Sequence, residues 1–98
     1  MRRLKLSKNA DDDLNDILAY GSAAFGDEVT RQYFFGFDEA LKMLREYPEL
    51  APRAWYLEGN IRCWSYRRHR IFYRYDDDML YVGRILHQSM EVDRSLSI

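Results

Sequence analysis

The spacing of apolar residues predicts two amphipathic helices in the first half of the chain. Residues 2–7 alternate charged side chains with leucine, as a short strand does. Ser7 then suits a helix N-cap, because its hydroxyl can accept a hydrogen bond from a free amide one turn later. Beyond it, apolar residues and one glycine recur at offsets of 3, 4, 7 and 11 and form a single stripe of Leu14, Ile17, Leu18, Gly21 and Phe25.

A second helix follows almost directly. Gly26 suits the left-handed residue that ends a helix, and Asp27 can cap the next one. That helix runs to Tyr47-Pro48 and carries one apolar side, which comprises Val29, Tyr33, Phe37, Ala40, Leu41 and Leu44. Because the connection is so short, the two helices must be antiparallel neighbours.

The period changes from helical to alternating after a loop at residues 48–60, which is rich in turn residues. Tight breaks at Arg67-Arg68 and at the three aspartates of 76–78 separate the strand candidates, which are 61–67, 69–75 and 79–87. The prediction is an α+β fold in two layers: an N-terminal strand, an antiparallel helical hairpin and a three-stranded antiparallel meander, in the order β-α-α-β-β-β.

Length and composition indicate one domain over residues 1–98, with a polar, loosely held tail at 88–98. The net charge of -1 gives no overall attraction to nucleic acid or to an anionic membrane. Cys63 is the only cysteine, so we expect a buried thiol and no internal disulfide. No signal-peptide or membrane-spanning run is apparent, and we expect a cytoplasmic protein.

Arginine is concentrated where the strands begin. Residues 61–75 contain five arginines and no acid. Since side chains alternate along a strand, Arg62 and Trp64 share one face of their strand, and Arg70, Phe72 and Arg74 share one face of the next. Helices can cover only one side of the sheet. We therefore expect the side left bare to combine arginines with large aromatic rings.

Sites of known chemistry are not evident. The histidines His69 and His87 lack the further ligands that a metal needs, no Gly-rich loop could hold a phosphate, and no cofactor is implied. The 76–78 aspartates read as a solvated hairpin tip. Phe34 and Phe35 lie beside the main helical stripe, either as additional core or as an exposed partner patch.

The arginine-rich band leaves four interpretations open. Arginines with aromatic rings can grip phosphates and stack bases. A ribonuclease would in addition need a group that transfers a proton or stabilises the transition state. Arg, Trp and Tyr are also the residues enriched at protein-binding hot spots. A merely solvated face is the fourth interpretation.

Two strings narrow the choice: HRIFYRY at His69–Tyr75 and VGRILHQSM at Val82–Met90. Together with Leu6–Gly26 and Tyr47–Arg53, they resemble the ParE branch of the RelE/ParE superfamily, the toxins of bacterial type II toxin–antitoxin systems. The resemblance spans nearly the whole chain. It implies the β-α-α-β-β-β fold predicted above.

The resemblance also implies a function. ParE-type toxins stall DNA gyrase and are neutralised by a ParD-like antitoxin, whose C-terminal segment wraps the toxin, whereas RelE-type relatives cut messenger RNA on the ribosome. The cutters carry an arginine and a tyrosine after the last strand. Here no tyrosine follows Tyr81, which favours a non-enzymatic inhibitor without catalytic residues, metal or cofactor, and without sequence-specific nucleic-acid binding of its own.

These expectations are assigned to particular residues. The predicted antitoxin contacts are Arg62, Trp64, Arg70, Phe72 and Arg74, with Phe34 and Phe35 as further candidates. The predicted gyrase contacts lie in the last strand and tail and are Arg84, His87, Met90 and Arg94. The alternative, a RelE-like ribosome-dependent endoribonuclease, would hold the scissile phosphate with Arg62, Arg67, Arg68, Arg70 or Arg84. A binding module that only forms complexes is the third possibility.

Overall fold

Two helices pack on one face of a four-stranded sheet in the computed structural model, which describes all 98 residues. The elements in chain order are β1 (Arg3–Leu6), α1 (Lys8–Phe25), α2 (Asp27–Glu46), a 3₁₀ turn (Pro48–Leu50), β2 (Arg62–Tyr66), β3 (His69–Tyr75) and β4 (Met79–His87). The predicted α+β class and the order of its elements are confirmed.

The helix ends show why the hairpin forms where it does. The Ser7 hydroxyl accepts a hydrogen bond from the Ala10 amide at 3.0 Å, as predicted for the N-cap of α1. Gly26 alone separates the helices and has a φ of 85°, a conformation that L side chains rarely adopt. Asp27 was expected to cap α2, but it is the first residue inside that helix. Its carboxylate there complements the positive end of the helix dipole.

The sheet is mixed, with strand order β1-β4-β3-β2. β1 pairs in parallel with β4, and the other neighbours are antiparallel. Arg67 takes a φ of 52° in the tight turn between β2 and β3. At the other hairpin tip, the Asp76 carboxylate accepts bonds from the Asp78 and Met79 amides at 2.9 and 2.8 Å, which is the solvated-turn role predicted for it.

The main core lies between the helices and the sheet. From α2 it takes Phe37, Ala40, Leu41 and Leu44, whereas α1 contributes only one fully buried side chain, Ala10. A hydrogen bond crosses this layer between the Tyr73 hydroxyl of β3, which donates, and the Pro48 carbonyl at 2.5 Å, and burial raises the pKa of that phenol to about 12. Neither helix has the length and apolar composition of a membrane span.

A second, smaller core covers the opposite face of the sheet, which the sequence predicted to be bare. Five buried residues form it, namely Ala54, Leu57, Ile61, Phe72 and Leu86. The 51–61 loop supplies three of them, and the tail lays Val92, Leu96 and Ile98 against the cluster. The expectation of a bare face is therefore wrong. β3 and β4 place the apolar side chains of Phe72 and Leu86 on this face, and irregular chain rather than helix removes them from water.

Candidate binding groove

The arginine-rich band is divided between the two faces of the sheet. In the antiparallel register Cys63 lies opposite Phe72, and Trp64 lies opposite Ile71. Residues paired in this way point to the same side. Trp64 accordingly packs on the helix-side core and Phe72 on the second core. The expectation that these rings and their arginines form one continuous face is wrong.

The predicted arginine contacts bind their own chain. Arg62 donates to the Glu49 and Ala51 carbonyls at 3.3 and 2.7 Å, on the helix side. On the opposite side, the guanidinium groups of Arg70 and Arg74 donate to main-chain oxygens in the tail, at Met90 and Ile98 respectively.

Each of the latter two also stacks on an aromatic ring, Arg70 at 5.1 Å from the Phe72 centroid and Arg74 at 4.1 Å from that of Tyr81. These contacts hold the tail against the sheet. These arginines are not the open surface that the sequence suggested, because each guanidinium group is engaged by a main-chain oxygen of a neighbouring segment. The Nε of Arg70 is buried without a hydrogen-bond partner.

Phe34 and Phe35 have different environments. Phe34 is half-buried, with its ring centroid 5.7 Å from that of Phe37. Phe35 is 66% exposed on α2. Of the two alternatives that the sequence raised, Phe34 therefore fits additional core and Phe35 fits an exposed patch. Phe34 also lines an apolar depression of the surface.

That depression is a groove of about 620 Å³ at the end of the hairpin marked by Gly26. One wall is built by α1 and α2, and the other by the β2–β3 turn and the end of β4. Its lining is mostly apolar and includes Ile17, Tyr20, Phe25, Val29, Phe34 and Met90. Phe25 is 60% exposed and Val29 is 55% exposed, so the helical stripes do not end in the core but continue into an open groove.

Of the residues that line this groove, the sequence placed only Phe34, His87 and Met90 among the antitoxin and gyrase contacts, and Arg68 among the contacts of the endoribonuclease alternative. The groove residues that it missed include Ile17, Tyr20, Phe25 and Val29. An apolar stripe predicts that its residues are buried, but it does not identify the surface that buries them. One signal was available. The stripe of α1 runs from Leu14 to Phe25, the last residue of the helix, and so ends beside the Gly26 turn.

Polar residues also line the groove, among them Tyr33, His69 and His87. The Tyr33 hydroxyl lies 2.6 Å from His69 Nδ1, and the His69 and His87 ring centroids are 5.4 Å apart. Burial, and secondarily the neighbouring His87, lowers the pKa of His69, while burial raises the pKa of Tyr33. His87 Nδ1 lies 2.7 Å from the Ser89 hydroxyl oxygen. The site holds hydrogen-bonding groups in fixed positions beside an apolar surface.

Among the predicted gyrase contacts, Arg84 is already paired. Its Nε and Nη2 donate to both carboxylate oxygens of Asp13 in α1 at 2.8 and 2.9 Å, and this hydrogen-bonded pairing raises the pKa of the guanidinium. Arg94 is exposed in the tail. The turn arginines Arg67 and Arg68 are also exposed, and Arg68 lines the groove. No group of three or more His, Cys, Asp or Glu side chains gathers as a metal site would require.

The fold and its open groove define a small α+β protein with an uncovered apolar surface, and comparison with known proteins defines its family. The family model described as "ParE toxin of type II toxin-antitoxin system, parDE" matches residues 4–92. Toxin ParE1 of Caulobacter vibrioides is 30% identical over 90 residues, which are 92% of this chain and 93% of that protein. The chain belongs to the ParE toxin family of type II toxin–antitoxin systems.

A solved structure shares the fold. A chain of the chromosomal ParDE TA system from P. aeruginosa superposes with a TM-score of 0.75 at 21% identity, covering 89% of this chain and 96% of that one. The resemblance that the sequence motifs indicated is thereby confirmed at the level of family and fold.

Proposed function

We propose that this protein is a toxin that inhibits DNA gyrase by binding it, and that a ParD-like antitoxin neutralises it by filling the groove beside Gly26. The groove carries the second half of the proposal. It exposes Tyr20, Phe25, Val29 and Met90 together, an apolar surface that a partner segment would remove from water. The function places the protein in the cytoplasm, with gyrase.

The shape and charge of the groove favour an amphipathic helix as its occupant. A helix that binds in a hydrophobic groove does so through its own apolar side chains, which are spaced about one helical turn apart. One wall carries Asp16 and the other carries Arg68. The complementary helix therefore has an apolar face with a basic residue on one flank and an acidic residue on the other.

This location revises the predicted antitoxin contacts. Phe34 stays in the proposal because it lines the groove. The strand residues Arg62, Trp64, Arg70 and Phe72 contact their own chain, so we assign them a supporting role. Arg74, which binds the tail, has the same role.

The groove proposal is tested by introducing a charge into it. Phe25→Asp should weaken antitoxin binding by at least about a hundredfold, because it buries a carboxylate without a partner in an apolar interface. Leu18→Asp is the matched control, since Leu18 is an exposed apolar residue of the same helix that does not line the groove. Titration calorimetry with the purified antitoxin measures both. Equal affinity of the two variants would refute the groove as the binding site.

The gyrase half of the proposal needs no catalytic residue, because occupancy of the enzyme suffices to stop its cycle. Purified toxin at micromolar concentration should inhibit gyrase supercoiling and increase gyrase-linked DNA cleavage. The antitoxin, added in equimolar amount, should reverse both effects. If supercoiling and cleavage are unchanged while the toxin still arrests growth, gyrase is not the target.

One observation favours a second candidate, the ribosome-dependent endoribonuclease. The imidazole of His69, which is hydrogen-bonded to Tyr33 and lies beside His87, would serve as the proton-transfer group close to the exposed Arg67 and Arg68. The other arginines that the sequence suggested for this role, at 62, 70 and 84, are engaged within the chain. Primer extension on messenger RNA after induction should detect codon-spaced cuts that His69→Gln abolishes. Without such cuts this candidate is eliminated.

A further inference from the structure

The most exposed aromatic residue of the protein lies outside the groove. Trp55 is 85% exposed, on the loop of residues 51–60 that leads into β2, here called the Trp55 loop. Its ring has one aromatic neighbour, Tyr56, at 5.6 Å and perpendicular. Trp55 thus contributes almost nothing to the core of the isolated chain, although tryptophan buries more apolar area than other side chains when it finds a partner.

The loop that presents Trp55 is tightly held. Its neighbours Ala54 and Leu57 are buried in the second core. The Ala54 amide donates to the Ile61 carbonyl, and the Leu57 amide donates to the Ala54 carbonyl, both at 2.9 Å. These contacts fix the backbone on either side of the exposed ring.

The end of the loop is fixed as well. Arg53 Nη2 donates to Asn60 Oδ1 at 2.6 Å, and Gly59 and Asn60 adopt left-handed φ values of 87° and 57°. A ring exposed on an ordered loop loses little conformational freedom when it binds. This preorganisation is what gives a single residue a large share of the binding free energy.

Charge identifies the kind of partner. Residues 51–60 carry one basic residue, Arg53, and one acidic residue, Glu58. A surface that grips nucleic acid gains its affinity from several cations placed against phosphates, and this loop has no such excess. A neutral loop with one protruding tryptophan fits an apolar pocket on another protein.

Position separates this surface from the groove. No residue of the Trp55 loop lines the groove. The loop joins the sheet at the Arg53–Arg62 bridge, where Arg62 lies opposite Tyr73, whereas the groove adjoins the other end of β2, where Tyr66 lies opposite His69. A helix in the groove therefore leaves the Trp55 ring uncovered.

We propose that Trp55 is the anchor by which the toxin engages its target protein, at a surface distinct from the antitoxin groove. The inference rests on the proposed function and adds the target-binding residue to it. It moves the target contact away from the last strand and tail, where Arg84 is paired with Asp13.

The test uses the full chain with Trp55→Ala, Trp55→Phe and Leu18→Ala, the last as an exposed apolar control elsewhere. Growth arrest on induction, inhibition of purified gyrase and affinity for the antitoxin are measured for each. Trp55→Ala should raise the concentration for half-inhibition of gyrase at least about thirtyfold and abolish growth arrest. Its antitoxin affinity should stay within about twofold of wild type. Trp55→Phe should be intermediate and Leu18→Ala unchanged.

The outcomes are distinguishable. Full growth arrest by Trp55→Ala overturns the anchor and leaves the proposed function standing. Loss of antitoxin binding by the same variant overturns the separation of the two surfaces. If the wild type arrests growth without affecting gyrase, the gyrase target fails, and growth arrest by the variants still decides the role of Trp55. An inert wild type overturns both proposals.

Discussion

At the scale of single residues, Asp13 connects helix α1 to strand β4. Its carboxylate accepts two bonds from Arg84 and a third from the Ile85 amide at 2.9 Å. The Asp13 side chain is 13% exposed and that of Arg84 is 30% exposed, so water screens the pair only partly. In the sequence this aspartate is the last of three consecutive acids near the start of α1. Its role arises only when β4 lies beside α1.

The contribution of this pair is testable with a neighbouring aspartate as control. Asp13→Asn should lower the free energy of unfolding by about 1–3 kcal/mol, because Arg84 loses its charged acceptor. Asp12→Asn breaks only the exposed Lys8–Asp12 pair and should cost less than about 0.5 kcal/mol. Urea denaturation measures both. Equal effects would mean that the Asp13 pair adds nothing beyond a surface charge.

His69 gives stability a dependence on pH. Its pKa is lowered from 6.5 in the folded state, chiefly by burial, so the unfolded chain binds the proton more readily. The stability is therefore complete above pH 6.5, falls as the pH drops below that value and levels off below the folded pKa. Thermal unfolding between about pH 7.5 and 5.5 should show this slope. His69→Gln should reduce the slope and His87→Gln should largely keep it; an unchanged slope in His69→Gln would contradict the assignment.

At the scale of elements, Gly36 lets α2 approach the sheet. The side chain of Tyr66 lies against the helix at Gly36, and its hydroxyl donates a hydrogen bond to the Tyr33 carbonyl at 3.1 Å. A Cβ added at Gly36 would lie 1.7 Å from that hydroxyl oxygen. The packing of α2 on the sheet at this point therefore requires a residue without a side chain. Helix propensity alone would disfavour glycine at this position.

Gly36→Ala should therefore destabilise the fold by about 1–3 kcal/mol, although alanine is the better helix former. The sign should reverse in a Tyr66→Ala background. With the ring gone, the same substitution should be neutral or stabilise by up to about 1 kcal/mol. A double-mutant cycle by chemical denaturation measures the coupling. An equal cost in both backgrounds would refute the steric explanation.

At the scale of the whole molecule, one chain covers both faces of its own sheet by different means. The helical hairpin covers one face, and the Trp55 loop with the tail covers the other. Ile98 packs over Gly83 of β4, where an added Cβ would lie 2.4 Å from Ile98 Cγ1. Arg70 and Arg74 hold the same segment through its main-chain oxygens.

Gly83→Ala should consequently displace the end of the tail. Amide hydrogen exchange of residues 90–98 should become faster while the helix-side core keeps its protection, since local opening costs less than global unfolding. Ser97→Ala, an exposed change within the tail, should leave exchange as in the wild type. Unchanged protection of the tail in Gly83→Ala would show that the Gly83 contact does not hold it.

The sequence by itself determined the elements and their order, because periodicity, caps and turn residues are local. The Ser7 cap, the Gly26 break and the turn at Arg67 each depend on nearby backbone alone. The motifs of β3 and β4 also indicated the family. Local pattern could not say that β1 lies beside β4, since that pairing joins residues more than seventy positions apart.

The tertiary structure alone decided the site. Register sent Trp64 and Phe72 to opposite faces, and the returning tail binds Arg70 and Arg74. Three of the five arginines of the band, Arg62, Arg70 and Arg74, therefore contact their own chain. The same packing left the ends of the helical stripes uncovered at Phe25 and Val29. An apolar residue requires burial and a basic residue requires hydrogen-bond acceptors. Only the folded chain shows whether its own segments provide them or a partner protein must.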